Sequence, residues 1–274
     1  EVSVGQAIGM RDETAAKGFA THNITLSLLI SAIWASILFL LATPIISIYE
    51  LESHIADHAT NYLRIVSTAF PFVFMSAAFT GIFNAGGRSK IPFTINGIGL
   101  AINMILDPLF IFVFDWDTNG AAWATWIAQA CVFTLFIHQL KFKKILWDDF
   151  RFFGRLKRIY TTKIFKIGLP VATLNALFAF VNMFLGRTAS TVGGHIGLMA
   201  MTTSGQIEAI TWNTSQGFST ALSAFVAQNY AAKKVNRVMK ALKSTLFMTL
   251  IFGIFCSLLF IFCGNNIFAI FVPE

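Results

Sequence analysis

Residues 90–129 read KIPFTINGIGLAINMILDPLFIFVFDWDTNGAAWATWIAQ, and this stretch decides the fold. Two apolar runs flank a short acidic turn at 115–120, and the first run contains a single carboxylate, Asp107. Each run is long enough to cross the roughly 30 Å hydrocarbon core of a membrane as a helix. A carboxylate inside a membrane helix is costly, so Asp107 is a candidate functional residue and the rest of the chain is its scaffold.

Two further polar residues lie at the depth of this carboxylate. Asn103 precedes Asp107 by one helical turn, which places both side chains on one helix face. At about 1.5 Å per residue, Asp107 lies roughly 10 Å below the acidic turn, and Thr125 lies at about the same depth on the next helix. Their oxygens are hard ligands that suit a small cation such as Na⁺. Two alternatives stay open: the same carboxylate carries a proton, or Asn103 or Asp107 makes a structural hydrogen bond that caps a neighbouring helix at Pro108.

The composition is that of a membrane protein with several crossings. Of 274 residues, 56% are hydrophobic and 12% are charged, whereas a soluble domain carries about 25% charged residues. The cysteines lie in apolar runs without metal-ligand spacing, so we expect them to pack as small apolar residues. Alternation typical of strands is absent from the uncharged runs, which therefore predict an all-α polytopic membrane fold. These runs are 24–49, 65–87, 118–140, 167–186, 209–232 and 244–273.

The basic residues are distributed in a way that predicts the topology. Of the 20 Lys and Arg, 18 lie in the connections 9–22, 84–92, 141–166 and 229–243. The alternate connections carry Glu50, Glu52, Asp57, Asp115 and Asp117. The positive-inside rule then places the basic connections in the cytoplasm. We expect a multi-pass protein of the cytoplasmic (inner) membrane. The net charge of +7 favours contact with anionic lipid rather than nucleic acid, and the aromatic residues of 141–166 suggest an amphipathic segment at the headgroup level.

The sequence also contains a weak internal repeat. A shift of 222 residues superimposes Ser3–Ala7 on Phe225–Asn229 and each following basic connection on the other, without a gap over about 45 residues. The matched helices run in the same direction, so the repeat is parallel, with a pseudo-two-fold axis near the membrane normal. It predicts two lobes of six helices, of which this chain holds helices 2–6 and 7–9. We therefore expect a first lobe at 1–140, a basic cytoplasmic linker at 141–166, a second lobe at 167–274, and a complete protein that extends beyond both ends.

Several motifs resemble the multidrug and toxic compound extrusion (MATE) transporters, within a wider group of drug, oligosaccharide and lipid exporters. The most specific are the Asn103-Met-Ile-Leu-Asp107-Pro108 element and the Gly120-Ala-Ala-Trp-Ala-Thr125 element. The resemblance extends over essentially the whole chain. The other motifs are 4–9 (VGQAIG) before a basic connection, 62–65 (YLRI) with Pro71, 84–92 (NAGGRSKIP), 167–170 (IGLP) and 226–229 (VAQN).

The resemblance implies a twelve-helix antiporter in which entry of Na⁺ or H⁺ drives export of organic, often cationic, compounds. It implies a cation or proton site made by an Asp of the first helix, which this chain does not contain, together with Asn103, Asp107 and Thr125. Some branches of the family also use a Glu in the seventh helix, where this sequence has Asn175 and Asn182. We expect a monomer that binds organic cations and membrane lipids, with no cofactor other than the coupling ion.

The second lobe offers another candidate site for substrate or a proton. Glu208 is the charged residue within the most polar of the predicted crossings, and we expect it to be buried at a depth like that of Asp107. Polar faces inside membranes line a cavity or join helices. The candidate residues of this site are Glu208, Gln206, Asn213 and Asn175.

Three other functions remain as alternatives. A flippase for lipid-linked oligosaccharides of the same superfold would need a cationic cavity for phosphate, whereas this chain has intramembrane acids. A membrane enzyme would need a nucleophile with a base, or a metal cluster, at a suitable spacing, and the sequence shows neither, so we expect no enzymatic activity. A non-transporting assembly protein would leave Asp107 without a role.

Overall fold

The structure is a computed structural model, and it describes residues 1–47, 53–143 and 146–271. Within these residues the chain forms helices and the turns between them, as predicted for an all-α protein. One continuous helical stretch, Arg158–Ala231, is divided at Gly194, whose φ of 58° and ψ of −148° are not helical. The helices are α1 (Val2–Gly9), α2 (Glu13–Leu40), α3 (Ala42–Ser47), α4 (Ser53–Ala85), α5 (Lys90–Pro108), α6 (Asp117–Ile137), α7 (Arg158–Gly194), α8 (195–231) and α9 (Val235–Phe271).

Among the described residues, six helical segments are long and apolar enough to cross a membrane. They have mean hydropathies between 1.5 and 2.6 and comprise α2, α4, α5 extended to Val113, α6 extended to Phe142, α7, and α9 as far as Gly264. The uncharged run 209–232 lies in α8, which is absent from this set. Polar residues such as Glu208 and Asn213 lower the apolar character of α8, so the crossing predicted from the uncharged run stays a prediction for this helix.

Several helices begin or end at other residues than the sequence predicts. The connection predicted at 9–22 is shorter than expected, because α2 already begins at Glu13, where the carboxylate of Asp12 accepts a hydrogen bond of 2.9 Å from the Ala15 N–H. Glu13 then pairs with Lys17 at 2.7 Å on the helix surface. α2 ends at Leu40, and Pro44 lies in the first turn of α3, where a proline is tolerated. The interval between the predicted runs 167–186 and 209–232 is also largely helical, because only Gly194 leaves the helical conformation.

The turns after α1 and α8 are equivalent under the predicted shift of 222 residues. After α1, the N–H of Arg11 bonds the carbonyl of Ile8 and that of Asp12 bonds Ala7, both at 3.0 Å. After α8, Lys233 bonds Tyr230 at 2.9 Å and Lys234 bonds Asn229 at 2.8 Å. Arg11 and Lys233 have left-handed φ values of 60° and 58°, so each turn is a Schellman motif with a basic residue where glycine is usual. This equivalence is what the repeat predicts for these two connections.

Residues Glu1–Thr161 form one compact unit, with α4 at its centre. α4 packs against α2 on one side and α6 on the other. Phe79 and Phe83 of α4 are fully buried against Phe136 of α6: Phe79 contacts it at a tilt at 5.7 Å, and Phe83 stacks on it at 5.9 Å. Lipid tails are as apolar as these rings, so close packing rather than exclusion of water stabilises the contact.

Two glycines bring α5 and α6 into close contact. A Cβ atom on Gly120 would lie 2.9 Å from the carbonyl carbon and oxygen of Phe110. A Cβ on Gly99 would overlap a methyl group of Val132. Small residues at such contacts let helix backbones approach closely in membranes.

We predict that Gly120→Ala destabilises the protein by about 1–3 kcal/mol, because the atoms it would meet belong to the backbone and cannot rotate away. The measurement is the midpoint of thermal unfolding of the purified protein in detergent. Gly97→Ala is the matched control, since nothing lies within 4 Å of its Cβ position. Equal midpoints for the two variants would contradict the proposed contact.

Residues 146–157, in the described part of the basic linker, pack onto this first unit without forming a helix. Trp147 is buried and stacks on Phe150, which contacts Phe152, and Phe152 in turn meets Phe79 of α4 edge to face at 6.2 Å. The aromatic residues that suggested an amphipathic surface segment therefore include three that attach the linker to the helices.

His22 holds the end of this linker. Its Nδ1 lies 2.6 Å from the carbonyl oxygen of Gly18, and its Nε2 accepts a hydrogen bond of 2.8 Å from the N–H of Lys157. These partners require a neutral ring protonated on Nδ1. Tyr160 covers the ring at a centroid distance of 4.6 Å, and the Thr21 hydroxyl donates to the carbonyl of Arg151 at 2.6 Å.

His22→Ala should loosen the linker, because it removes two hydrogen bonds and a ring contact from a side chain that is only 5% exposed. Two such bonds contribute about 2 kcal/mol, so tryptic cleavage at Arg151, Arg155 and Lys157 should accelerate about tenfold or more. Timed digestion followed by mass spectrometry measures this rate. His138→Ala serves as the control, since His138 is exposed, and an unchanged rate in His22→Ala would refute the anchor.

Thr162–Glu274 forms the second compact unit. In its described part, the ring of Phe178 in α7 stacks on Trp212 in α8 at 5.7 Å and 8°, which fixes these helices as an antiparallel pair. Phe218 of α8 contacts Phe252 of α9 at 6.3 Å. Most described side chains of these helices are exposed within the unit.

Candidate functional site

The polar centre of the first unit is a pair of side chains on α5. The Asn103 amide donates a hydrogen bond of 3.2 Å to Oδ1 of Asp107, and both residues are half-buried. The expectation that they share one helix face is thereby confirmed. An ionised carboxylate can accept about four hydrogen bonds. The pair therefore leaves acceptor capacity on Asp107 for a cation or a proton.

The backbone changes its geometry directly after Asp107. Pro108 has no N–H to donate to the carbonyl of Met104, one turn before it. The next five residues, Leu109–Val113, form a wider π-helical turn, in which the N–H of Phe114 bonds the carbonyl of Leu109 at 3.1 Å. Such turns inside α-helices are frequent at functional sites.

Thr125 lies at the level of this pair, but it does not bond to it. The two glycine contacts fix the register of the antiparallel helices, because Gly120 faces Phe110 and Gly99 faces Val132. In two antiparallel helices, the numbers of residues at the same level have a nearly constant sum, which is 230 or 231 here. Thr125 is therefore level with residues 105 and 106, which lie between Asn103 and Asp107. No hydrogen bond joins its hydroxyl to either residue in this structure. The structure thus brings two of the three predicted residues into contact and places the third beside them.

The candidate residues of the second unit are dispersed. Asn175 lies on α7, Gln206, Glu208 and Asn213 lie on α8, and all four side chains are exposed. None of the described residues covers that face of α8, so the expected burial of Glu208 stays a prediction. Asn182, the other polar residue considered in α7, donates to the carbonyl of Phe178 at 3.0 Å.

Two polar contacts were not predicted from the sequence. The Asn96 amide lies 3.5 Å from the Thr80 hydroxyl and joins α5 to α4. His54 and His58 meet at the start of α4, with their Nε2 atoms 3.2 Å apart. The spacing of one helical turn between the histidines was visible in the sequence, whereas the contact of Asn96 depends on tertiary packing. Among the described residues, no group of three or more His, Cys, Asp or Glu side chains is arranged to hold a metal ion.

Known proteins with a similar sequence or fold include several transporters. The family model described as MatE matches residues 1–109 and 170–274. The probable multidrug resistance protein YoeA of Bacillus subtilis is 24% identical over 294 residues, which cover 100% of this chain and 60% of YoeA. The multidrug export protein MepA of Staphylococcus aureus is 21% identical, with 99% of this chain and 60% of MepA covered.

Solved structures match the whole chain. A MOP superfamily transporter from Pyrococcus furiosus, described as having a binding pocket of reverse polarity that suggests a different function, has a TM-score of 0.92 at 19% identity, covering 100% of this chain and 61% of that one. An outward-facing multidrug resistance MATE family transporter has a TM-score of 0.91 with the same identity and coverage. The chain spans about 60% of the length of these relatives. With its six apolar helices and a family match over most of its length, this integral membrane protein belongs to the MatE, or multidrug and toxic compound extrusion, family of transporters.

Proposed function

We propose that this chain forms part of a secondary active antiporter that exports organic, often cationic, compounds across the cytoplasmic membrane, driven by the entry of Na⁺ or H⁺. The observation that carries the proposal is the Asp107 carboxylate, held by Asn103 inside an apolar helix of this transporter fold. The names of the bacterial relatives, which describe multidrug resistance and multidrug export, support the same activity.

The negative charge of a carboxylate at this position would couple the entry of a cation to the export of a second compound. Its negative charge is unfavourable in hydrocarbon, so a bound Na⁺ or proton that neutralises it stabilises the loaded state. A cation that crosses a membrane potential of 100 mV releases about 2.3 kcal/mol, which is available to drive export of a second compound. Rocking of two lobes around a central site would then present the carboxylate to each side of the membrane in turn.

The orientation that we propose follows from charge. The basic connections face the cytoplasm, and the acidic turn around Asp115 and Asp117 faces the opposite side. With this orientation Asp107 lies closer to the external side, where the entering cation is found. The linker that packs on α2 and α4 would then lie on the cytoplasmic side.

Asp107→Asn should abolish cation-driven efflux of a fluorescent cationic dye from cells that express the complete transporter. The substitution is nearly isosteric, so expression and membrane insertion should be unchanged. The amide that it introduces has no negative charge to balance a cation, so coupling should be lost. Asp115→Asn is the matched control, because it removes an exposed carboxylate in the turn, where its φ of 56° suits asparagine equally well. Normal efflux by Asp107→Asn would exclude this carboxylate from coupling.

Thr125→Val distinguishes the two coupling ions. Valine keeps the shape of the side chain but removes the hydroxyl that lies level with the Asn103–Asp107 pair. In proteoliposomes with separately imposed gradients, a Na⁺-coupled transporter should lose about tenfold or more in Na⁺-driven efflux, comparable to the loss of one preorganised ligand group. A proton-coupled transporter should keep its pH-driven efflux, since a proton needs only the carboxylate.

The runner-up function is a flippase for lipid-linked oligosaccharides or lipids of the same superfold. The Pyrococcus furiosus structure, with its pocket of reverse polarity, has a similar fold at 19% identity, so the fold alone does not fix the charge of the substrate. Asp107 favours export of a cation, because a phosphate would be repelled by an intramembrane carboxylate. Binding of an anionic lipid-linked phosphate in preference to a cationic dye would reverse this choice.

A further inference from the structure

Two histidines form a close pair at the start of α4, away from the Asp107 site. His54 and His58 are one helical turn apart, so their rings lie on one face of the helix. The two Nε2 atoms are 3.2 Å apart, and the ring centroids are separated by 4.5 Å. His54 is exposed and His58 is half-buried, which leaves the pair open to solvent.

The separation of these nitrogens fits a transition-metal ion. Zn²⁺ binds imidazole nitrogen at about 2.0–2.1 Å in tetrahedral geometry, so two such ligands lie roughly 3.3 Å apart. The observed separation of 3.2 Å is close to that edge of the tetrahedron. Two histidines at this spacing on one helix face are also the pair through which helical zinc motifs hold their metal.

A neighbouring helix orients one of the rings. The Thr118 hydroxyl, in the first turn of α6, lies 3.4 Å from Nδ1 of His58. Metal-binding histidines usually donate their second ring nitrogen to such a partner, which fixes the tautomer and leaves the other nitrogen free for the metal. Here that partner leaves Nε2, the atom facing His54, as the ligand.

The surroundings of the pair supply negative charge and space. A cavity of about 530 Å³ is lined by both histidines together with Asp117, Thr118 and three apolar residues. Asp115 lines the adjoining depression beside His58. The carboxylates favour a cation near the rings, and the cavity admits the water molecules that would complete its coordination.

We propose that His54 and His58 form a binding site for a divalent transition-metal ion of the Zn²⁺ class, with water in the remaining coordination positions. The two imidazole nitrogens select such an ion over Na⁺, Mg²⁺ or Ca²⁺, which prefer oxygen. A site with two protein ligands binds reversibly and exchanges with solvent, unlike a structural four-ligand centre. Because His58 also contacts Thr118, an ion bound here connects the first turn of α4 to that of α6.

The test is a titration of the complete, chelator-treated transporter in detergent with Zn²⁺ alone, followed by isothermal calorimetry. The native protein should bind one Zn²⁺ that is lost in both His54→Ala and His58→Ala. Thr118→Val should weaken binding about tenfold, because it removes only the group that orients His58. His138→Ala, which changes an exposed histidine outside the pair, should bind as the native protein does.

A second measurement is made on the native protein, so it does not depend on how well the variants fold. Cu²⁺ added to the native protein should give an electron paramagnetic resonance spectrum with couplings from two imidazole nitrogens. A spectrum with oxygen ligands only would overturn the proposal, as would Zn²⁺ binding that persists unchanged in the His54→Ala/His58→Ala double variant. If the native protein binds no Zn²⁺, the proposal is wrong, and the contact between the two rings is only a hydrogen bond.

Discussion

Hydrocarbon offers no hydrogen-bond partner, and this constraint acts on the polar groups in the apolar helices. Hydroxyl and amide side chains meet it locally, as Thr134 does with the carbonyl of Ala130 and Asn182 does with that of Phe178. An ionised carboxylate has no proton to donate to its own backbone, so Asp107 needs a donor from elsewhere. Asn103 supplies one, and its amide group is therefore directed to the carboxylate instead of to its own helix. The two asparagines therefore differ in their partners: Asn103 donates to a carboxylate, whereas Asn182 donates to a backbone carbonyl.

Features within one helix or one turn were predictable from the sequence. The Asn103–Asp107 contact follows from helical periodicity, and the equivalent turns at Arg11 and Lys233 follow from the repeat. Features that depend on the packing of distant segments could not be predicted, because periodicity does not show which residue of another segment a side chain will contact. The bond from Lys157 to His22 joins residues 135 positions apart, and nothing in the sequence pairs them. For Thr125, the rise per residue gave its depth but not whether it touches Asp107.

The α5–α6 hairpin contributes a residue to each of the two proposed ion sites. Asp107 lies near its α5 end, and Thr118, which contacts His58, lies in the first turn of α6. Phe110, in the π-helical turn between them, stacks on Phe114 at 5.6 Å and meets Trp116 at a tilt at 5.1 Å. This aromatic cluster therefore lies between the two residues that the hairpin contributes.

The left-handed conformations of Arg11 and Lys233 have a consequence for how the chain enters the membrane. A side chain in this conformation costs roughly 1–2 kcal/mol, which glycine would avoid. On the proposed topology both residues face the cytoplasm, where a positive charge helps to orient a helix during insertion, before any tertiary contact exists. On that topology, each of these two positions would combine a charge that helps to orient a helix with a backbone conformation that glycine adopts at lower cost.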